Sequence, residues 1–412
     1  MKYMYKYKSE FLKFIDERGF LNQISDSENL DKIFMNKGVS AYIGFDCTAP
    51  SLHIGSLIQI MLLKHLQNFG HNPIILVGGG TSKVGDPSLK DKSRSLLEEK
   101  DIQNNLNGIR KTFERFLDLK KDGTVIVDNN DWLGKLNYID FLREVGSNFS
   151  VNRMLSFDSV KLRLDREQPL SFLEFNYMVM QGYDFYELNK RYDCILQMGG
   201  SDQWGNIVCG IDLARRLSGV SLFGLTTPLL TTSSGQKMGK TENGAIWLNY
   251  NKANKDHSTH PRDFWNYWRD KTDNNLVGPW MRLFTDLSLK EISEYENLQG
   301  EEIETAKEVL ATKITEIVHG KHSNWDSIET YKIQKNKLEN GIGLLSLLSK
   351  DFLKLTNSNS EARRFVKSSA IKLNEKLILD EKHIVTINDF DKTQKLKVSL
   401  GKKKNIIIEI IN

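Results

Sequence analysis

Tyr42-Ile43-Gly44-Phe45-Asp46-Cys47-Thr48-Ala49-Pro50-Ser51-Leu52-His53-Ile54-Gly55-Ser56 is the stretch on which the fold turns. Its first residues continue a β-type run, Ala41 to Phe45, which stops in a polar turn containing proline. His53 and Gly55 then open a run, Leu57 to Asn68, whose apolar residues recur at helical spacing and predict an amphipathic helix. A helix start beside a strand end offers unpaired N–H groups and the positive end of the helix dipole, which suits a phosphate. Gly55 lets a nucleotide come close to the backbone, and the His53 imidazole can donate to a phosphate oxygen. In a doubly wound sheet a nucleotide is held at this kind of corner. A strand, a turn and a helix with one histidine are nonetheless more often plain structure when nothing else supports them.

Further along, strand-like and helical patterns alternate from about Ala41 to Leu230, the signature of an α/β fold with a parallel sheet. Pro73 to Val77 reads as a buried strand followed by Gly78-Gly79-Gly80, and Thr124 to Val127 reads the same way. Cys194 to Met198 is another strand, followed by Gly199-Gly200. Each strand ends in glycine or a polar turn, so polar residues gather at the sheet edge where open parallel sheets bind ligands. Between Asn129 and Tyr186 the pattern turns helical and aromatic. From Arg262 to about Tyr331 it is helical again, with Phe264 and Trp268 four apart and a strong period from Ala306 to Val318. Residues 333–345 are polar with two glycines and read as a linker. Beyond them, Ser360 to Lys367 is a capped basic helix and Ala370 to Asn374 a strand with its turn.

Composition excludes several classes. The 412 residues suffice for two or three domains, and 39% hydrophobic with 27% charged residues describes an ordinary soluble globular chain. Cys47, Cys194 and Cys209 form no C-x-x-C pair, which argues against a zinc site or a disulfide framework and fits a reducing cytoplasm. No apolar run reaches the length of a membrane span, and the N-terminus mixes lysines with acidic residues and lacks a signal-peptide core. Charge is uneven: residues 361–412 hold twelve basic and seven acidic side chains, while the rest of the chain is close to neutral. A positive tail on a near-neutral body suggests a nucleic-acid contact, although solvating lysines alone would explain it.

A second signal lies far downstream, Lys237-Met238-Gly239-Lys240-Thr241. Two ammonium groups three residues apart, with glycine between and a hydroxyl after, make a cationic loop able to cover a triphosphate and neutralise developing charge. The two segments together resemble the HIGH and KMSKS signatures of the class I aminoacyl-tRNA synthetases. Three further stretches resemble the tyrosyl-tRNA synthetases of the bacterial and organellar type: Gly78-Gly79 through Asp86-Pro87, Asn176 through Asp184, and Gln197 through Asn206.

The resemblance covers nearly the whole chain. It implies a Rossmann-like doubly wound parallel sheet as catalytic domain over 1–250, with a connective insertion at about 129–190 that supplies a homodimer interface, Phe172 being a candidate there. A core position for that aromatic is equally open. It also implies a helical anticodon-binding domain over 251–332, the linker at 333–345, and a small α+β, S4-like RNA-binding domain over 346–412, with Arg363, Arg364 and Lys367 on its RNA face. The reaction implied joins L-tyrosine to tRNA(Tyr) in two steps, through tyrosyl-adenylate. ATP is a substrate accompanied by Mg2+, and no tightly bound cofactor, dedicated metal site or membrane contact is expected.

Residue by residue, the resemblance assigns Thr48, His53, Lys237 and Lys240 to catalysis at the phosphates. Lys90 and Arg94 look like further pyrophosphate or acceptor-end contacts. Gly44, Asp46, Gly55, Ser56, Gly200, Asp202 and Met238 join His53 and Lys240 around the nucleotide. Tyr42 and Asp184 resemble the pair that bonds the substrate phenol, since a tyrosine hydroxyl and a carboxylate together supply a donor and an acceptor. Tyr177, Gln181 and Asp86 resemble the group that grips the α-ammonium, and Gln203 a partner for the carboxylate. Such a pocket rejects phenylalanine because its buried polar groups would go unpaired, a discrimination for which this family is itself the usual worked example.

The sequence departs from the family pattern at three points. Ser56 replaces the second histidine of HIGH, Gly239 replaces a serine of KMSKS, and Ile43 sits where some relatives carry a polar side chain. Two alternatives stand beside the tyrosyl reading. A tryptophanyl-tRNA synthetase shares fold and signatures, but an indole N–H needs only an acceptor. A non-catalytic RNA-binding relative would be expected to have lost charges such as His53, Asp86, Asp202, Lys237 and Lys240.

Overall fold

The structure is a computed structural model that describes residues 5–86, 97–231, 238, 240–241, 244–253, 256–300, 302–321, 329–338, 341–349, 351–353, 355–391, 393–401 and 404–411. Residues 1–322 and 323–412 form two compact units.

The first unit is built on a six-stranded sheet. Its strands are β1 (Gln23–Ile24), β2 (Ser40–Asp46), β3 (Asn72–Gly78), β4 (Val125–Asp128), β5 (Cys194–Gly200) and β6 (Phe223–Thr227). They lie in the order β1-β6-β5-β2-β3-β4, all parallel except β1, which runs antiparallel to β6. β2 to β4 step outward in one direction, and β5 then returns to the other side of β2. The strand order therefore reverses between β2 and β5, which opens a crevice at their carboxyl ends. β3 is buried at every position after its first, as an inner parallel strand covered on both faces should be.

The helix following the opening stretch runs Leu57–Asn68, as its spacing predicts, but it is not amphipathic in place. Nine of its residues are buried, His65 and Gln67 among them. The sheet takes one face, while the helices Glu10–Glu17 and Val277–Phe284 cover others, so the polar stripe expected to meet solvent meets protein instead. The helices Pro261–Lys271, Val277–Phe284 and Glu302–His319 share one hydrophobic cluster with the sheet, including Phe264, Trp268, Met281 and Leu310. Arg18 fastens that region to the N-terminal helix. Its guanidinium donates to the carbonyls of Met281, Arg282, Thr285 and Leu287 and stacks over Phe14.

A small hairpin, β7 (Lys240–Thr241) with β8 (Gly244–Ala245), completes the strands of this unit. The second unit holds β9 (Glu329–Gln334), β10 (Ile342–Gly343), β11 (Ile371–Leu373), β12 (Lys376–Leu377), β13 (Ile384–Val385), β14 (Lys395–Leu400) and β15 (Lys404–Ile411). Five of them form a sheet in the order β12-β11-β14-β15-β9, antiparallel except for β9 on β15, and β10 pairs with β13. The span 333–345, polar enough to read as a linker, thus carries the end of β9 and all of β10. The unit has its own core, with Leu344, Leu347, Val366, Val398 and Ile408 in it. The basic helix is Asn359–Lys367, and the Ser358 side chain caps it by accepting from the Glu361 amide. Arg363, Arg364 and Lys367 are exposed on it.

Candidate active site

The crevice at the carboxyl ends of β2 and β5 is a cavity of about 470 Å³. Its walls come from β2, the His53–Gln59 segment, the end of β3, Asp86, Asn129, the helix Tyr177–Tyr192 and the run Gln197–Gln203. Because these segments are remote in sequence, the site exists only once the sheet has formed.

The deepest end is built around Asp184. Its carboxylate is buried and accepts from Asn129 Nδ2 at 3.0 Å and Trp132 Nε1 at 2.7 Å. Burial raises its pKa to about 7 in spite of those two donors. Tyr42 faces the same space with no exposed surface, and its hydroxyl bonds to nothing among the described residues. Burial, with Asp184 nearby, holds that phenol well above its ordinary pKa, so it is a neutral donor and acceptor. The buried Oε1 of Gln197 in the same wall is likewise unpartnered. Unpaired buried polar groups are costly unless a ligand completes them.

The middle of the cavity is a carboxylate belt. Asp46 accepts from Tyr177 Oη at 3.1 Å and Thr81 Oγ1 at 3.0 Å, and Thr81 in turn accepts from Asn129. Asn129 therefore links the Asp46 cluster to Asp184. Asp86 accepts from Gln203 Nε2 at 2.9 Å, while Asn206 Nδ2 donates to both Gln203 and Gln181. Tyr177 and Gln181, one helical turn apart, both line the cavity from the same helix face. Gly78 and Gly79 are required here: a Cβ on the first would overlap Thr81 and Asp46, and one on the second would overlap Asp128. This belt suits a cation held between acceptors.

The outer end belongs to His53. Its Nδ1 accepts from the Gly55 amide at 3.0 Å, so the neutral ring carries its proton on Nε2 and can donate from there. The amides of Ile54 and Ser56 are also engaged, by the carbonyls of Ile246 and His53. The unpaired N–H groups expected at this helix start are therefore all spoken for at 54, 55 and 56, because the chain closes a tight turn there before the helix begins. Gly55 leaves no room for a Cβ, which would lie 2.7 Å from the imidazole Cε1. Across the cavity the Asp202 carboxylate lies over Gly200, where a Cβ would overlap it. Gly44, Ser56 and Met238 also line the wall.

Thr48 is exposed and does not line the cavity. Lys90, Arg94 and Lys237 lie outside the described residues, and for Lys240 the backbone alone is described, paired with Ala245 in the hairpin. Among the described residues no group of three or more His, Cys, Asp or Glu gathers to hold a metal ion, and no helix is long and apolar enough to cross a membrane.

The family of class I tRNA synthetases (W and Y) matches residues 35–331. The tyrosine–tRNA ligase of Wolbachia pipientis subsp. Culex pipiens is 50% identical, with 98% of each chain aligned. That of Mesorhizobium japonicum is also 50% identical, over 98% of this chain and 99% of its own. The chain belongs to the class I tyrosyl-tRNA synthetases. Among solved structures, a C-terminally truncated mitochondrial tyrosyl-tRNA synthetase from Aspergillus nidulans is 29% identical with a TM-score of 0.66, over 76% of this chain and 91% of that one. A tryptophanyl-tRNA synthetase from Encephalitozoon cuniculi has a TM-score of 0.57 over 77% of this chain and 91% of that one, at 14% identity. That likeness shows the fold alone, so the fold does not separate the two specificities.

In this synthetase several residues of the site escaped the sequence reading: Thr81, Asn129, Gln197 and Gln59 line the cavity, Gln59 donating to Thr227 Oγ1 at 3.2 Å, and Trp132 supports it from behind through its bond to Asp184. Two of them left a signal. Gln197 is a polar residue inside an otherwise apolar strand, and Asn129 is the first residue beyond β4, at the ligand-binding edge of the sheet. Trp132 left none, since a tryptophan after a strand is ordinarily core.

Proposed function

We propose that this chain activates L-tyrosine with ATP and then transfers the tyrosyl group to the 3′ end of tRNA(Tyr). The observation that carries the reading is the Tyr42–Asp184 pair at the closed end of the cavity: an unpartnered buried hydroxyl beside a buried carboxylate. A phenol needs both a donor and an acceptor, whereas an indole N–H would leave the Tyr42 hydroxyl unpaired. This favours tyrosine over tryptophan on the shared fold.

In the first step a substrate carboxylate oxygen forms a bond to the α-phosphorus while the bond to the bridging oxygen of pyrophosphate breaks. No protein nucleophile is needed, so the residues act by positioning and by stabilising charge. Asp86, Tyr177 and Gln181 hold the ammonium, and Gln203 orients the carboxylate. His53 donates from Nε2 to the departing phosphates, with Lys237 and Lys240 beside it. Gly44, Asp46, Gly55, Ser56, Gly200, Asp202 and Met238 form the nucleotide wall, and Mg2+ accompanies ATP as part of the substrate.

The rest of the chain serves tRNA. The helices from 256 to 321 act as the anticodon-binding part, and the second unit, from β9 onward, as an S4-like unit that contacts RNA through Arg363, Arg364 and Lys367. The insertion at 129–190 forms a homodimer interface, and the enzyme works in the cytoplasm. Support for the interface comes from Phe172, which is 71% exposed and so is no core aromatic, and from exposed Tyr138, Ile139 and Val151 in the same insertion.

The test is exchange of pyrophosphate into ATP with each amino acid in turn. Exchange with tyrosine alone is expected. Exchange with tryptophan and not tyrosine would overturn the reading, and none with any amino acid would leave a non-catalytic RNA binder.

A further inference from the structure

Residues 47–53 join β2 to the His53 turn without regular secondary structure, yet almost every turn of this loop is fastened from outside. At its start the Cys47 amide donates to Ser82 Oγ at 2.7 Å, and the Cys47 carbonyl accepts from Asn105 Nδ2 at 2.8 Å. At its end Leu248 and Ile246 bond Leu52 and Ile54, and His53 is bridged to Trp247. Between these, the Pro50–Ser51 corner is held by one residue, Asn249.

The Asn249 side chain uses all four of its hydrogen-bonding positions. Nδ2 donates to the carbonyls of Pro50 and Gly108, each at 3.1 Å. Oδ1 accepts from Thr112 Oγ1 at 2.9 Å and from the Arg115 guanidinium. Because arginine only donates, the amide orientation is fixed, and its N–H groups face the two carbonyls. The Asn249 amide donates to Ser51 Oγ at 3.0 Å, and its carbonyl accepts from Thr259. Gly108 lies inside the helix Glu99–Phe113, where glycine costs helix stability. Its reason is proximity, since a Cβ there would overlap the Pro50 carbonyl.

We infer that Asn249 is a positioning residue for adenylate formation, locking the Pro50–Ser51 corner against the Glu99–Phe113 helix so that His53 Nε2 meets the phosphates at the right distance. Asn249 itself does not line the cavity. The tyrosine end is held by the Asp184 network instead, from different elements. Loss of the lock therefore slows the chemical step and leaves amino-acid binding intact.

This inference rests on the tyrosine-activating reading, and one set of measurements separates the two. If the unaltered enzyme shows no tyrosine-dependent exchange, the reading fails before the inference is reached. Otherwise Asn249→Ala is expected to lower kcat of tyrosine-dependent exchange by roughly ten- to a hundred-fold, the loss typical of an ångström-scale misplacement. The Kd for tyrosine, measured by equilibrium dialysis, stays within about two-fold of its original value. Gly108→Ala, which improves helix propensity while pushing on Pro50, is expected to show the same split, and it decides the matter alone if Asn249→Ala does not fold. In a His53→Ala background Asn249→Ala costs little more, because its effect passes through the imidazole. A folded variant that keeps its kcat, a tyrosine Kd that worsens in step with kcat, or full additivity with His53→Ala would overturn the inference.

Discussion

At Asp184 two donors do not compensate for complete burial, and the carboxyl rises from 3.8 to about 7. A carboxyl raised on folding binds its proton more tightly in the folded state, so its contribution to stability is complete below pH 4 and is lost as pH climbs through 7. Denaturant midpoints should therefore fall between pH 5 and pH 8 by more in the parent protein than in Asp184→Asn. Tyrosine binding should move the other way, because the phenol donates to the ionised form. Its Kd tightens as pH rises through about 7, and Asp184→Asn is both weaker and flat across that range. Tyr42 makes the complementary case. Its buried hydroxyl has no partner among the described residues, so Tyr42→Phe should be at least as stable as the parent by thermal melting. The same variant should bind tyrosine more weakly by about 1 kcal/mol, the scale of one hydrogen bond. A Tyr42→Phe protein that melts several degrees lower would show that the hydroxyl serves the fold and not the ligand.

Among the elements, the join between the helices Glu10–Glu17 and Val277–Phe284 depends most on a single side chain. Arg18 is 4% exposed, and burial lowers its pKa, yet its guanidinium satisfies carbonyls that the end of the second helix leaves without intrahelical partners. Arg18→Ala strands those carbonyls and should cost on the order of 3 kcal/mol in denaturant unfolding. Because Arg18 is absent from the cavity wall, tyrosine-dependent exchange at low temperature should survive. Retained stability would mean that solvent reaches the freed carbonyls. The neighbouring helix Leu57–Asn68 shows why elements are legible before their surroundings are: its spacing gives its length, but not that three layers would cover it.

For the whole molecule, the exposed apolar residues of the insertion raise the question of what covers them. Phe172, Tyr138, Ile139 and Val151 are each more than half exposed, within 35 residues of one another in sequence. If they meet a second copy, Phe172→Glu should shift sedimentation from dimer to monomer, because a carboxylate cannot enter an apolar interface without a partner. An unchanged dimer would place the interface elsewhere. The second unit has a core of its own and is rich in lysine, which fits the RNA contact proposed for it.

Sequence by itself determined the family and the elements around the opening stretch, though not the strands within 333–345. The β2 run, the turn after it and the helix from Leu57 are set by local periodicity and turn chemistry, and Tyr42, Asp86, Tyr177 and Asp184 stand in ordered motifs readable in one dimension. Tertiary structure alone decided the partners. Asn129 and Trp132 reach Asp184, and Asn249 reaches Pro50 and Gly108, across more than 50 and more than 100 residues of chain. It also decided that the amides at the helix start are occupied and that Thr48 is exposed outside the cavity wall. Hydrogen bonds are short-ranged in space and indifferent to separation along the chain, so a pattern of neighbours in sequence carries no record of them.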